Sequence, residues 1–91
     1  MGVVVKIPTQ LRAAAGGESE MEVEGATVQE VLDGLFERCG ELRTRISDED
    51  GSLRRFVNVY VAGEDIRFLD GLATPVLDGS ELTILPAVAG G

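Results

Sequence analysis

The sequence has no histidine, no tryptophan and only one cysteine among its 91 residues. Without histidine, the side chain most often used for general acid–base catalysis is missing. A lone cysteine, Cys39, excludes an intramolecular disulfide and the usual zinc and iron–sulfur ligand sets. Cys39 continues an apolar helical stripe, so we interpret it as a small core residue rather than a reactive thiol. The chain is therefore not expected to be an independent enzyme, and we expect it to bind neither a cofactor nor a metal.

Basic side chains are also scarce. Eight lysines and arginines stand against sixteen acidic residues, which gives a net charge of −8 at pH 7. A nucleic-acid surface needs clustered basic side chains, so we expect no nucleic-acid partner. No apolar run approaches the roughly 20 residues that span a bilayer. The first residues have no signal-peptide pattern. We therefore expect no membrane association and a cytoplasmic location.

Alternating apolar residues and turn signals predict a series of short strands. Glutamates occupy every second position from Glu18 to Glu24, which predicts a half-exposed strand at a sheet edge, protected by like charges. Pro8 closes the first strand and Pro86 the last. The predicted strands are 2–7, 18–24, 55–62, 66–68 and 82–85, with loops at 9–17 and 47–52.

A capping box opens the one long helix. In Thr27-Val28-Gln29-Glu30, the Thr27 hydroxyl is expected to accept from the Glu30 N–H and the Glu30 carboxylate from the Thr27 N–H. Gly40 is predicted to end the helix in a left-handed conformation. Leu42 and Ile46 indicate one more helical turn. The apolar stripe consists of Val28, Val31, Leu32, Leu35, Phe36 and Cys39.

The order strand, strand, helix, strand, short strand, strand restricts the topology. An amphipathic helix after a hairpin must cover one sheet face, and a right-handed crossover lets the last strand lie parallel to the first in mid-sheet. These features predict an α+β fold of the β-grasp, ubiquitin-like type: a mixed sheet of four to five strands with one main helix packed across it. The expected domain is 1–86, followed by a flexible Gly-Gly tail at 87–91.

The last two residues, Gly90 and Gly91, are poor structural elements because glycine loses most entropy when it is ordered. Without a Cβ they can thread a narrow channel, and a terminal carboxylate is chemically inert until ATP converts it to an acyl-adenylate. The tail therefore fits a group that another enzyme activates. The alternative is a frayed terminus of small residues.

The final strand and tail share a pattern with a known family: Asp78-Gly79-x-x-Leu82-x-Ile84-Leu85-Pro86-x-Val88-x-Gly90-Gly91, after a strand, a hairpin and a capped helix. In this the whole chain resembles the bacterial ubiquitin-like sulfur carriers. These include the thiamine sulfur carrier, the small subunit of molybdopterin synthase and the actinobacterial carrier for cysteine biosynthesis. The chain is most similar to the last of these, through residues 55–61, 70–74 and 84–91. The molybdopterin subunit more typically has Pro-Pro where this chain has Pro86-Ala87, and the thiamine carrier usually lacks the insertion near 47–52.

The resemblance implies a mechanism centred on Gly91. An E1-like adenylating enzyme would activate its carboxylate with ATP, and sulfur would displace AMP to leave a thiocarboxylate. Gly90 would give access to the enzyme channel. In the cysteine route, a PLP-dependent cysteine synthase acting on O-phosphoserine would accept the sulfur, and a zinc metalloprotease would release cysteine. ATP, PLP and zinc would thus belong to partners, and this chain would be a protein cosubstrate.

A partner-binding surface is predicted on the sheet face away from the helix. If Val57, Val59 and Val61 face the helix, then Phe56, Tyr60 and Leu85 lie outside, where exposed apolar patches mark interaction sites. We predict that these three residues and Val88 bind partners. Other functions remain open at this point. The chain could donate sulfur for thiamine or molybdopterin synthesis, be joined to lysines as a ubiquitin-like modifier, or be an interaction domain with an inert tail.

Overall fold

Five strands and two α-helices form the part of the chain that the computed structural model describes, residues 2–54 and 57–86. The strands are β1 (Val3–Lys6), β2 (Glu20–Val23), β3 (Val57–Val61), β4 (Glu64–Asp65) and β5 (Glu81–Pro86). The helices are α1 (Val28–Arg38) and α2 (Gly40–Ile46). Short 3-10 helices cover Thr9–Ala15, Ile66–Phe68 and Gly71–Ala73. None of the helices in these residues has the length and apolarity needed to cross a membrane.

The last strand lies at the centre of the sheet, whose order is β2-β1-β5-β3-β4. β5 runs parallel to β1, with Val5 opposite Leu82, and antiparallel to β3, with Val59 opposite Ile84. After the β1–β2 hairpin the chain passes through α1, α2, β3 and β4 before β5 enters beside β1, parallel to it as predicted. This topology is the predicted β-grasp fold.

The core lies between α1 and the inner sheet face. All of the predicted helical stripe from Val28 to Phe36 is buried, and Cys39 is half-buried against the same core. The sheet contributes the alternate residues Val3, Val5, Val57, Val59, Leu82 and Ile84. Each fully buried aliphatic side chain of this kind stabilises the fold by about 1.5–3 kcal/mol. The position of α1 is therefore set by its apolar stripe.

One glycine allows α1 to lie close to β2. A Cβ placed on Gly34 would lie 2.8 Å from Cγ1 of the buried Val23. Glycine within a helix is about 1 kcal/mol less favourable than alanine. Gly34 thus weakens the helix locally but permits the close approach.

The start of α1 agrees with the predicted capping box in one of its two bonds. The Thr27 Oγ1 accepts a hydrogen bond from the Glu30 N–H at 3.2 Å. The Glu30 carboxylate, however, accepts from the N–H of Ala26 at 3.0 Å and not from Thr27. Residues 26–28 are paired in strand-like fashion with 74–76, through Val28 N–H to Thr74 O and Val76 N–H to Ala26 O. This pairing fixes the direction in which the chain enters the helix.

The end of α1 differs from the prediction. Gly40 does not cap α1 in a left-handed conformation; it is the first residue of α2. Cys39 lies between the helices with φ −135° and ψ 81°, and its C=O accepts from the Leu42 N–H at 3.0 Å. Burial of Leu42 and Ile46 lengthens the predicted single turn into a seven-residue helix.

Two further segments were predicted wrongly. The predicted loop at 9–17 contains the 3-10 helix Thr9–Ala15, because Leu11, Ala14 and Ala15 are buried against the core. The predicted strand at 66–68 is also a 3-10 helix, and the short strand is instead Glu64–Asp65. The Asp65 Oδ1 accepts from the Arg67 N–H at 2.9 Å and the Leu69 N–H donates to Ile66 O at 3.0 Å, which closes a 3-10 turn where the strand was predicted. The preceding turn is formed by Ala62 and Gly63, both with positive φ.

The glutamate-rich strand does lie at an edge of the sheet. β2 pairs only with β1 in the described residues, and Glu20 and Glu22 are exposed. The Lys6 Nζ contacts Glu20 Oε2 at 2.6 Å, and this hydrogen bond raises the pKa of Lys6 above its ordinary value. Like charges along an edge discourage pairing with other chains.

Candidate functional site

The predicted site residues fall into two groups. Gly90, Gly91, Val88 and Phe56 lie outside the described residues, as does the whole predicted tail at 87–91. Tyr60 and Leu85 lie within them, on adjacent central strands. The description of the site therefore begins at Pro86, which we call the base of the tail, and continues along β5 and β3.

The base of the tail is held by β3. Pro86, the last described residue, lies opposite Val57 at the beginning of β3. In this antiparallel ladder the Ala62 N–H donates to Glu81 O at 3.0 Å, so backbone bonds to β5 recur at every second residue from Ala62. The Val57–Pro86 pair falls between those positions, where a proline's missing N–H costs no ladder bond. Residues 87–91 could extend at most about 17 Å from this point.

The outer face of β3 and β5 carries the two described candidates. Leu82 and Ile84 are buried beneath α1, so Thr83 and Leu85 point to the other side of the sheet. Leu85 is 44% exposed, and Tyr60 is half-buried. Leu85 lies opposite Asn58, and Thr83 lies opposite Tyr60. We call Asn58, Tyr60, Thr83 and Leu85 the outer patch; it is a small, mixed surface that leads to the tail.

An ion pair borders the outer patch. The Arg67 Nη2 donates to Asp65 Oδ2 at 2.8 Å and to Asn58 Oδ1 at 2.7 Å. The Arg67 N–H also donates to Asp65 Oδ1 at 2.9 Å. These hydrogen bonds hold the pKa of Asp65 below its ordinary value and raise that of Arg67. Arg67 thus ties β4 to the position directly opposite Leu85.

The two most exposed large apolar side chains of the described residues were missed by the sequence analysis. Phe68 is 86% exposed and Leu77 is 76% exposed. In the predicted strand 66–68, the side chains of Ile66 and Phe68 would lie on the same face of the sheet. In the 3-10 helix, Ile66 is buried and Phe68 points into solvent. Leu77 precedes the Asp78-Gly79 turn that leads into β5, at the end of the sheet away from Pro86. No pattern in the sequence distinguishes these two from core residues.

A large cleft lies on the helix side of the molecule. Its volume is about 410 Å³, and it is enclosed by α1, α2 and the segment 47–54. The Arg43 guanidinium lies 5.8 Å from the Phe36 ring centre, and the Arg54 Nε donates to Thr44 O at 2.7 Å. The cleft is on the opposite side of the sheet from the outer patch, and it brings none of the predicted site residues together.

The described residues offer little other chemistry. Among residues 2–54 and 57–86, cysteine and carboxylate side chains do not gather into a group of three or more that could hold a metal ion. Cys39 is half-buried, with its Sγ 3.9 Å from the Met21 sulfur. Its position agrees with the interpretation of this thiol as a packing residue.

Comparison with known proteins matches residues 5–91 to the ThiS family. The chain is 46% identical to the sulfur carrier protein CysO of Mycobacterium tuberculosis, over 93 aligned residues and 100% of both chains. This similarity covers the final strand and the Gly-Gly end as well as the core.

Solved structures agree with the sequence similarity. CysO in the crystal structure of the Amycolatopsis orientalis BexX/CysO complex has a TM-score of 0.91 and 51% identity. The match covers 99% of this chain and 100% of that one. The solution structure of the small archaeal modifier protein SAMP1 from Methanosarcina acetivorans has a TM-score of 0.84 and 37% identity. It covers 98% of this chain and 95% of that one.

Proposed function

Because this chain belongs to the ThiS family, we propose that it is a sulfur carrier protein whose C-terminal residue, Gly91, carries sulfur as a thiocarboxylate. The observation that carries the proposal is the similarity to CysO over the whole of both chains, with a family match that reaches Gly91. The CysO relative is named a sulfur carrier protein, and it is matched over its whole length.

The proposed reaction has two steps at the terminal carboxylate. A carboxylate oxygen of Gly91 attacks the α-phosphorus of ATP, forming an acyl-adenylate and releasing pyrophosphate. Hydrosulfide then attacks the acyl carbon, the bond to AMP breaks and AMP leaves, and loss of the S–H proton yields the thiocarboxylate. Gly90 contributes by fitting a narrow channel, since a side chain there would meet the channel wall.

The chain acts as a cosubstrate in this proposal. It has no histidine, and its described residues contain no group of three or more cysteine or carboxylate side chains that could hold a metal ion. The domain presents the tail to partner enzymes and is bound by them. This requires that the tail be anchored at Pro86 and that an accessible surface lie beside it. The outer patch with Leu85 supplies that surface, and Phe56 and Val88 are proposed to extend it.

We further propose that the sulfur is used to make cysteine. The similarity to proteins named CysO supports this acceptor over thiamine or molybdopterin precursors. The proposed partners are an E1-like adenylating enzyme, a PLP-dependent cysteine synthase and a metalloprotease that restores the Gly-Gly end. ATP, PLP and zinc would be bound by these enzymes, and all would act in the cytoplasm. The Amycolatopsis complex is a precedent for a CysO chain held by another protein.

A second candidate function is covalent attachment to other proteins. It is supported by the structural similarity to SAMP1, an archaeal modifier protein. Both functions begin with adenylation of Gly91. They differ in whether sulfur or a lysine amine takes the acyl group.

Intact-mass measurement tests the proposal. The purified chain is incubated with ATP, a sulfide source and the adenylating enzyme from its own host. We expect one terminal oxygen to be replaced by sulfur, localised to Gly91 by fragmentation. A variant lacking Gly90 and Gly91 is the control and should keep its mass. A tail that stays a carboxylate in this mixture contradicts the carrier function, and lysine-linked adducts in host extracts would favour the modifier function.

A further inference from the structure

Side-chain amines that could react with an activated C-terminus are scarce in this chain. Lys6 is the only lysine in the sequence, against seven arginines. An arginine guanidinium stays protonated in proteins, so it has no free lone pair with which to attack an acyl carbon. A lysine amine has one when it is deprotonated, and it then attacks carbonyl groups. Lys6 is therefore the one side-chain amine that could take the acyl group from Gly91.

Lys6 lies beside the strand that leads to the tail. Val5 is buried, so the Lys6 side chain points to the outer face of the sheet, as does that of Thr83. Lys6 is opposite Thr83 in the parallel pairing of β1 with β5. From Thr83 to Pro86 the strand advances about 10 Å, and β1 lies about 5 Å to the side. Lys6 is thus within the roughly 17 Å that residues 87–91 can span from Pro86.

Glu20 holds the Lys6 amine on the side of β1 that faces away from the tail. The two residues are directly opposite in the pairing of β1 with β2, and the Lys6 Nζ lies 2.6 Å from Glu20 Oε2. Because β1 lies between β2 and β5, this contact draws the amine away from β5. The hydrogen bond to Glu20, together with the charges of Glu20 and Glu81, also raises the pKa of Lys6. Less of the amine is therefore in the free form that attacks carbonyls.

Capture of the activated tail by Lys6 would end the carrier cycle. The lone pair of the free Nζ would attack the acyl carbon of the Gly91 adenylate, the bond to AMP would break, and Nζ would lose a proton. The product is an amide between Lys6 and Gly91, and it is lighter than the free acid by one water. Hydrosulfide does not displace an amine from an amide, so a chain closed in this way would no longer accept sulfur. An adenylate whose tail has left the enzyme channel is open to this reaction.

We propose that Glu20 is a positioning residue that keeps the amine of Lys6 away from the activated tail and so suppresses capture of Gly91 by its own chain. This inference rests on the proposed function, since it requires an acyl-adenylate at Gly91. The ion pair is exposed, with 42% of the Lys6 side chain and 53% of the Glu20 side chain accessible, so it slows capture by a small factor. With a single lysine in the chain, one carboxylate is enough for this task.

Intact-mass measurement of the full chain tests the proposal. The unmodified chain and Glu20→Gln are each incubated with ATP and the adenylating enzyme from the host, without a sulfide source, so that the adenylate accumulates. We expect Glu20→Gln to lose one water roughly twofold to fivefold faster, the range that loss of an exposed ion pair gives. Fragmentation should place the new amide between Lys6 and Gly91. Pyrophosphate release measures adenylation in the same samples.

Two further variants serve as controls. Glu22→Gln removes the same charge from the same face of β2, but the Glu22 Oε2 accepts from the Gly2 N–H at 3.3 Å and does not hold Lys6. It should lose water no faster than the unmodified chain. Lys6→Arg added to Glu20→Gln keeps the positive charge and removes the amine, so it should abolish the product. Glu20 and Glu22 are both exposed, so both single variants should fold.

A second readout needs no enzyme. N-hydroxysuccinimidyl acetate acetylates free amines, and Lys6 should react roughly twofold to fivefold faster in Glu20→Gln than in Glu22→Gln. A carboxylate that only protects the sheet edge would leave this rate the same in both variants.

The outcomes separate this proposal from the carrier function. Faster water loss that is confined to Glu20→Gln and abolished by Lys6→Arg supports the role of Glu20. Adenylation with equal water loss from Glu20→Gln and Glu22→Gln, or equal acetylation of Lys6 in the two, overturns that role and leaves the carrier function standing. A doubled mass, with Gly91 of one copy joined to Lys6 of another, overturns capture within one chain. If no variant releases pyrophosphate, the carrier function is wrong, and the protective role of Glu20 with it.

Discussion

Replacing Gly34 with alanine sets two effects of similar size against each other. Alanine is about 1 kcal/mol more favourable than glycine within a helix. The new Cβ, however, would lie 2.8 Å from Cγ1 of Val23. Val23 is buried and β-branched, so its side chain has little freedom to rotate away. Overpacking of a core typically costs about 1–3 kcal/mol. We therefore expect Gly34→Ala to lower the free energy of unfolding by about 1 kcal/mol.

Gly40 provides the matched control. Gly40 is also a helical glycine, and a Cβ added to it would have no neighbour within 4 Å. Gly40→Ala should raise the free energy of unfolding by about 0.4–1 kcal/mol, because it restricts the unfolded chain without strain. Urea unfolding measures both. With a slope near 1 kcal/mol per M, the two midpoints should differ by about 1–2 M. If Gly34→Ala raises the midpoint as much as Gly40→Ala, the close approach of α1 to β2 does not limit the packing.

Three further predictions concern the helix cap, the outer patch and the ion pair. Thr27→Ala should lower the free energy of unfolding by about 1 kcal/mol in urea, because the Glu30 N–H loses its acceptor; no change would mean that solvent replaces the cap. Leu85→Ala should change stability by less than about 0.5 kcal/mol yet weaken binding to the adenylating enzyme in calorimetry, and unaltered affinity would remove Leu85 from the docking surface. Asp65 should titrate below its ordinary value of 3.8 in carboxyl NMR. Its depressed pKa contributes stability that is present above the unfolded value and is lost as pH falls through the folded value. Asp65→Asn should remove that part of the acid dependence, and an Asp65 pKa at or above 3.8 would contradict the contact with Arg67.

The sheet was predictable because its signals are local and repeated. Alternation from Glu18 to Glu24 identified an edge strand, and the stripe from Val28 to Phe36 identified the helix that covers the sheet. Once these were assigned, chain connectivity left few places for β5. Its central position parallel to β1 follows from the crossover rule.

The errors arose where tertiary contacts override local preference. Gly40 has the residue type of a helix cap, but burial of Leu42 and Ile46 starts a new helix there. Residues 66–68 have a strand-like composition, but the Asp65 side chain accepts from the Arg67 N–H and the Leu69 N–H bonds to Ile66 O, so a 3-10 helix forms. A short stretch of sequence does not show which residues make these contacts.

The candidate site also has parts that the sequence predicts and parts that depend on tertiary contacts. The Gly-Gly end is visible in sequence because glycine loses most entropy when it is ordered, and Leu85 follows from alternation in the last strand. The exposure of Phe68 is not visible in sequence, because it follows from the 3-10 turn that replaces β4 after Asp65.

The central position of β5 also determines how the domain bears a pull on its tail. An enzyme that draws residues 87–91 into a channel applies its force along β5, which is bonded to β1 on one side and to β3 on the other. Force directed along a strand loads both ladders in shear, so their hydrogen bonds must yield together. An edge strand peeled sideways would lose them one at a time. The tail is thus attached to the strand that is bonded on both sides, and a pull along it must break both ladders before β5 can leave the sheet.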